Sequence, residues 1–134
     1  MFAFHVNNLA LLVSAVVQFL LGWVWYGVIF KKSWTALVGF KEGSKGLNPV
    51  FAMACSFVAN LILSFALVNL ILIVSKPDFF SGASIGIIVW LGFMAAPLFT
   101  QHIYERRPAN LFAINAAYWM LAMALAGGIL AVWR

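Results

Sequence analysis

Polar and apolar positions in this chain come in blocks, without the alternation of a strand or the one-sided stripe of a surface helix. Charge-free windows run over 7–30, 46–75, 79–104 and 108–133, with lengths of 24, 30, 26 and 26 residues. Inside each window apolar residues cover every side of a helical projection, as in a segment surrounded by lipid or protein. One helical crossing of a bilayer takes ~20 apolar residues, so each window has room for one crossing and none for two. The pattern predicts an all-α, integral membrane four-helix bundle, a single transmembrane domain over 1–134, with helices near 7–30, 49–75, 81–104 and 108–133. A soluble domain is excluded by the little chain left over.

The connections refine this picture. The first, Lys31–Leu47, carries Gly39, Gly43 and Gly46 before Asn48-Pro49, a turn followed by a helix start. Within it, Trp34–Phe40 is expected to form a short helix in the membrane interface. The second, Ser75-Lys76-Pro77-Asp78, is tight, with Ser81 as the expected cap of helix three. The third is Glu105-Arg106-Arg107-Pro108, with Pro108 suited to a first helical turn. Short connections predict antiparallel neighbours, helix two beside three and three beside four. Pro97, inside helix three, is expected to kink it and free the carbonyl of Phe93, as an incidental bend or as a hinge.

Composition agrees: 66% of the 134 residues are hydrophobic and 8% charged, against about 25% charged in an ordinary soluble domain. The net charge of +5 reads as topology. Lys31, Lys32, Lys41, Lys45, Arg106 and Arg107 flank connections one and three, whereas only Lys76 and Arg134 lie on the other side. This bias places connections one and three in the cytoplasm and both the N-terminus and the C-terminus outside. No basic stripe interleaved with solvent-facing aromatics is present, so no nucleic-acid partner is expected. Met1–Val6 has no positive charge and no small-residue cleavage site follows, so the first helix is expected to remain as a span. Cys55 has no partner for an internal disulfide and is expected to pack as a small hydrophobe.

Small residues at four-residue spacing mark seams where helix backbones can approach in lipid. They are Gly82/Gly86 and Gly92/Ala96 in helix three, Ala113/Ala117 and Ala124/Gly128 in helix four, and Ala52/Ser56/Asn60/Ser64 in helix two. Whether each lies within or between subunits is open. So many close-packing faces predict self-association as a homodimer.

Candidate chemistry is sparse. Glu42, Asp78 and Glu105 all lie at helix ends or in loops, and there is one cysteine. Paired-carboxylate catalysis, proton coupling through a buried acid, and thiol exchange are thereby removed. His5 and His102 lie near opposite membrane faces, ~30 Å apart, too far to share a haem. No catalytic residue, metal ligand set or cofactor is expected, and the protein is expected not to be an enzyme. Ser56, Asn60, Ser64 and Asn115 form a candidate polar seam, either lining a small pathway or hydrogen-bonding between helices. Gln18 and Asn69 need partners likewise. Trp90, Tyr118 and Trp119 lie deep enough to want acceptors, as core packing or as the lining of an apolar pocket. Trp25, Tyr26, His102, Tyr104, Glu105 and Arg106 form the densest polar and aromatic set. It reads as a cytoplasmic-side binding cluster for an anionic group, or as a helix end anchored by charge.

Gly22-Trp23-Val24-Trp25-Tyr26-Gly27 with Phe30 and Trp34 resembles the first-helix signature of a bacterial membrane family catalogued as domain of unknown function 1761. Trp90-Leu91-Gly92-Phe93 is similar to a second signature of that family. A third is matched by Glu105-Arg106-Arg107-Pro108 followed by Leu111-Phe112, Ile114 and Tyr118, and Gly127 or Gly128 with Trp133 fits its C-terminal end. The resemblance spans nearly the whole chain and does not extend to His102. It implies a four-helix membrane protein of this length, without a known activity. Together the readings predict a small multi-pass protein of the bacterial inner membrane, non-catalytic, acting through lipid or protein contacts. The alternative is a transporter or channel for a small molecule or ion, with a cytoplasm-facing site between helices one and three.

Overall fold

The computed structural model describes residues 7–38, 48–74 and 78–133. Helix α1 (Asn8–Ile29) begins at Asn7, whose side chain accepts from the backbone N–H groups of Leu9 and Ala10. Its last part, Trp25–Ile29, widens into a π-helix, with Phe30 N–H donating to Trp25 O at 2.9 Å, five residues back. Helix α2 (Lys31–Val38) follows at once, a short helix in the expected connection that starts earlier, at Lys31. The part of that expectation on Gly39 and Phe40 lies outside the described residues.

Helix α3 (Pro49–Ile71) starts with proline in the first turn, where a missing N–H is harmless, and Asn48 caps it. Helix α4 (Phe79–Tyr104) is capped by Asp78, which accepts from Ser81 N–H at 2.7 Å. Ser81 is thus the donor and Asp78 the cap. The reason is that Phe79 and Phe80 already belong to the helix. Hydrogen bonds from the Ser81 side chain and backbone hold the Asp78 carboxyl below its ordinary value. The cap is therefore at full strength above that value and is lost as pH falls through the lowered one. Helix α5 (Ala109–Val132) follows Pro108.

Four helices, α1, α3, α4 and α5, are long and apolar enough to cross a membrane. They correspond to the predicted helices one to four. Among them α5 is the most buried, and α1, α3 and α4 all pack on it. The tightest pair is α4 with α5. A Cβ added at Gly82 would stand 2.1 Å from Gly127 O, and one at Gly86 2.2 Å from Met123 O. The backbones touch, which only glycine permits. The Gly82/Gly86 seam therefore lies within the subunit. At Gly92 an added Cβ would meet nothing within 4 Å, so this second spacing marks no contact inside the bundle. Helices α3 and α4 touch only lightly, because the glycine face of α4 is taken by α5.

Pro97 follows a widened stretch of the hydrogen-bond ladder. Trp90–Ala95 forms a second π-helix, and Ala96 N–H donates to Leu91 O, five residues back. The widened turn absorbs the residue that has no N–H to give. At its end α4 closes with Arg107 N–H on His102 O (2.9 Å) and Arg106 N–H on Ile103 O (3.1 Å). This is a Schellman turn. Its left-handed position, usually glycine, is held by Arg106 with φ of 56°.

The apolar core lies at the end of the bundle away from α2. Ala10, Leu67, Val68, Ile71, Met123, Ala126, Leu130 and Ala131 form one buried cluster there. Cys55, expected to pack, is instead exposed. It lies on the side of α3 turned away from the other helices, because Asn60 and Ser64 set the inward face.

Three substitutions test the packing and the turn. Gly82→Leu forces α4 off α5 and lowers stability by about 3 kcal/mol or more, measured by unfolding in mild detergent. Gly92→Leu, measured on the single subunit, stays within about 0.5 kcal/mol of wild type. Arg106→Gly raises stability by about 1 kcal/mol, because it relieves the left-handed strain without touching the hydrogen bonds.

Candidate functional site

Two polar and aromatic layers lie between the apolar core and the end of the bundle near α2. The first is a buried clasp. Gln18 of α1 donates through Nε2 to Ser64 Oγ of α3 at 2.9 Å, to Ser14 Oγ at 3.2 Å and to Ser14 O at 3.3 Å. The hydroxyls of Ser14 and Ser64 bond to each other at 3.0 Å. From α5, Tyr118 donates its hydroxyl to Gln18 O at 3.0 Å. Ser14 and Gln18 of α1, Ser64 of α3 and Tyr118 of α5 are thus tied at one level. Gln18 Oε1 is buried without a partner among the described residues. Asn69 is satisfied within its own helix, donating to Phe65 O at 2.8 Å.

The second layer is a cavity of about 400 Å³ between α1, α3 and α5. Helix α1 gives it Phe19, Gly22, Trp23 and Tyr26; α5 gives Tyr118 and Trp119. Helix α3 gives Met53, Ser56, Ala59 and Asn60. Asn60 lies eleven residues beyond Pro49, about 17 Å into the helix at 1.5 Å per residue. That is near the middle of a ~30 Å hydrocarbon layer. Trp23, 64% exposed, and the exposed Met53 lie at the rim, on the outer sides of α1 and α3. The cavity therefore opens sideways at apolar depth. Gly22 lets the Tyr118 ring lie close against α1, since an added Cβ would press on its hydroxyl at 3.0 Å.

The candidate polar seam divides between these layers. Ser64 belongs to the clasp, while Asn60 and Ser56 face the cavity. In a straight helix, residues at four-residue steps drift by about 40° per step, so Ser56, two steps from Ser64, is turned out to the rim. Asn115 is engaged elsewhere: Tyr26 donates its hydroxyl to Asn115 Oδ1 at 2.8 Å.

The expected six-residue cluster is split. Trp25 and Tyr26 dock on α5, Trp25 Nε1 donating to Ile114 O at 3.1 Å. The ring of Tyr26 also meets those of Tyr118 and Trp34, with centroids 5.2 and 5.4 Å apart. His102 turns inward, packs on Phe112 and bonds through Nδ1 to Leu98 O at 3.0 Å. Its Nε2 is buried without a partner among the described residues. Tyr104 is 84% exposed on the outer surface. Glu105 pairs with Arg107, at 2.7 Å, and accepts from Gln101. Arg106 serves the turn through its backbone. Helices α1 and α4 pack on α5 rather than on each other, so the cavity forms between α1, α3 and α5, and not between the predicted helices one and three. Of the cluster, only Tyr26 lines the cavity.

The cavity was not legible as one site. Its signals were scattered: Gly22, Trp23, Tyr26 and Tyr118 in the family signatures, Ser56 and Asn60 in the polar seam, and the depth of Tyr118 and Trp119. Among the described residues no group of three or more histidines, cysteines or carboxylates is placed to hold a metal.

The clasp has a measurable asymmetry. Gln18→Leu leaves the serine pair intact and removes an unpartnered carbonyl, so it changes stability by less than about 1 kcal/mol. Ser64→Ala strips the buried Gln18 amide of its shortest acceptor and costs about 1–2 kcal/mol. Unfolding of both variants in mild detergent orders them.

No curated protein and no solved structure matches the chain. A family match covers residues 9–131, nearly all of the described bundle. The chain thus belongs to the family described as Protein of unknown function (DUF1761).

Proposed function

We propose that the protein is a non-catalytic protein of the bacterial inner membrane that acts through contact with molecules of the bilayer. In this reading both termini face outward and connections one and three face the cytoplasm, in keeping with the lysine and arginine bias. The observation that carries the reading is the cavity of about 400 Å³ whose rim residues Trp23, Met53 and Ser56 lie on the outer sides of the helices at apolar depth. Apart from Ser56 and Asn60 on the cavity wall, the polar side chains that a water-filled route between the helices would need are tied to each other, in the clasp and in the Tyr26–Asn115 pair. Self-association as a homodimer belongs to the same reading. It is supported by the outer side of α4, where Gly92 is uncovered and Phe93 exposed beside it.

Solvent access tests this. Nitroxide labels at Met53→Cys and Ser56→Cys, in a Cys55→Ser background and in liposomes, are relaxed strongly by oxygen and weakly by a water-soluble nickel chelate. Strong relaxation by the chelate at both positions, and at Asn115→Cys, would replace the lipid-contact reading by a wet pathway and a transporter. For self-association, the mass of the protein in nanodiscs is that of two copies, and Gly92→Leu reduces it to one.

A further inference from the structure

We infer that the cavity between α1, α3 and α5 is a binding site for a neutral, largely apolar, membrane-soluble molecule with one carbonyl or hydroxyl group, which Asn60 holds. The inference rests on the lipid-contact reading and names the ligand class of the same site.

Three observations carry it. Asn60 is 4% exposed, lines the cavity, and has no side-chain hydrogen bond among the described residues. The other buried polar residues along α1 and α3 are bonded: Ser14, Gln18 and Ser64 in the clasp, and Asn69 to its own helix. An unpaired amide at this depth is unfavourable. A carbonyl on a ligand would take an N–H from Asn60, and a hydroxyl would give to its oxygen. The Ser56 hydroxyl, one turn away on the cavity wall, offers a second donor.

Among the described residues no lysine, arginine, histidine or carboxylate lines the cavity. A charged ligand group would lie uncompensated near the middle of the membrane, where charge is expensive. Asn60 also lies about 17 Å from the start of α3. A two-chain lipid whose headgroup stays in water keeps its ester carbonyls near the interface, too shallow for this amide. A molecule with a single neutral polar group can sink to it. The volume falls in the range of small-molecule sites, ~300–1,000 Å³. The rings of Phe19, Tyr118 and Trp119 supply flat apolar walls for such a molecule.

Benzophenone is a suitable probe: a neutral ketone with one carbonyl, which on irradiation takes a hydrogen from a neighbouring C–H and bonds to the carbon. Its charged counterpart is 4-benzoylbenzoate. With the full chain in liposomes, benzophenone labels residues 53–60 saturably, as mapped by mass spectrometry, and the carboxylate analogue does not. Asn60→Leu lowers the apparent affinity about ten-fold. Ala59→Phe, which fills the cavity without altering Asn60, abolishes saturable labelling. Circular dichroism and thermal unfolding of both variants check the fold. Unchanged affinity in a folded Asn60→Leu protein overturns the assignment of Asn60. Unsaturable labelling spread over the outer faces of all the spans overturns the site but leaves the lipid-contact reading standing. Labelling of residues 53–60 by the carboxylate analogue overturns both, because it requires a wet cavity.

Discussion

Backbone contact between α4 and α5 is the constraint from which the rest of the bundle follows. In lipid there is no hydrophobic gain from bringing two apolar helices together, so close packing must hold them. Gly82 against Gly127 and Gly86 against Met123 supply that contact at the end of the bundle away from α2. Once α4 occupies this face of α5, α1 and α3 take the others. Small and medium residues continue along the same end of α5, at Ala122, Ala126 and Ala131, and the core closes tightly there. Toward the α2 end the residues of α5 that meet α1 and α3 become large, at Tyr118 and Trp119, and the same helices no longer close on one another. The cavity results from one helix changing side-chain size along its length.

The clasp lies at the boundary between these two regimes. Three helices bring polar groups to a common level, two from α1 and one each from α3 and α5, and a group left without partners there would be costly in hydrocarbon. This fixes the axial register of α1 against α3, which apolar packing alone would leave free to slide by a turn. Tyr118 has a part in both layers: its hydroxyl reaches the clasp and its ring forms the cavity wall.

Much of the architecture was legible in the sequence because the bilayer imposes a simple rule of length and charge. The windows 7–30 and 108–133 end within a residue of α1 and α5. Gly82 and Gly86 announced a close approach, but not its partner, since Gly92/Ala96 has the same spacing and faces open space. Spacing fixes which residues are small; only the tertiary structure fixes what opposes them. Gly22 and Gly92 illustrate this too, the first against Tyr118 and the second uncovered. For the candidate sites the sequence was a weaker guide. Grouping His102 with Trp25 and Tyr26 assumed that residues at one membrane depth share a neighbourhood. Helix α5, lying between α1 and α4, separates them. The π-helix at Trp25–Ile29 had no proline to signal it and turns Tyr26 toward Asn115.

The π-helix in α4 gives this helix a reading frame. A regular α-helix advances 100° per residue, so positions at steps of four would rotate to the far side after five steps. Yet Gly82, Gly86, Trp90, Met94, Leu98 and His102, five such steps, are all buried or half-buried. The extra residue in Trp90–Ala95 restores the phase lost before it. Length is therefore a coded quantity inside this helix as well as at its ends. Within 90–95 the loss of one residue would turn everything beyond it by about 100°, taking His102 off Phe112 and the Schellman turn away from the start of α5.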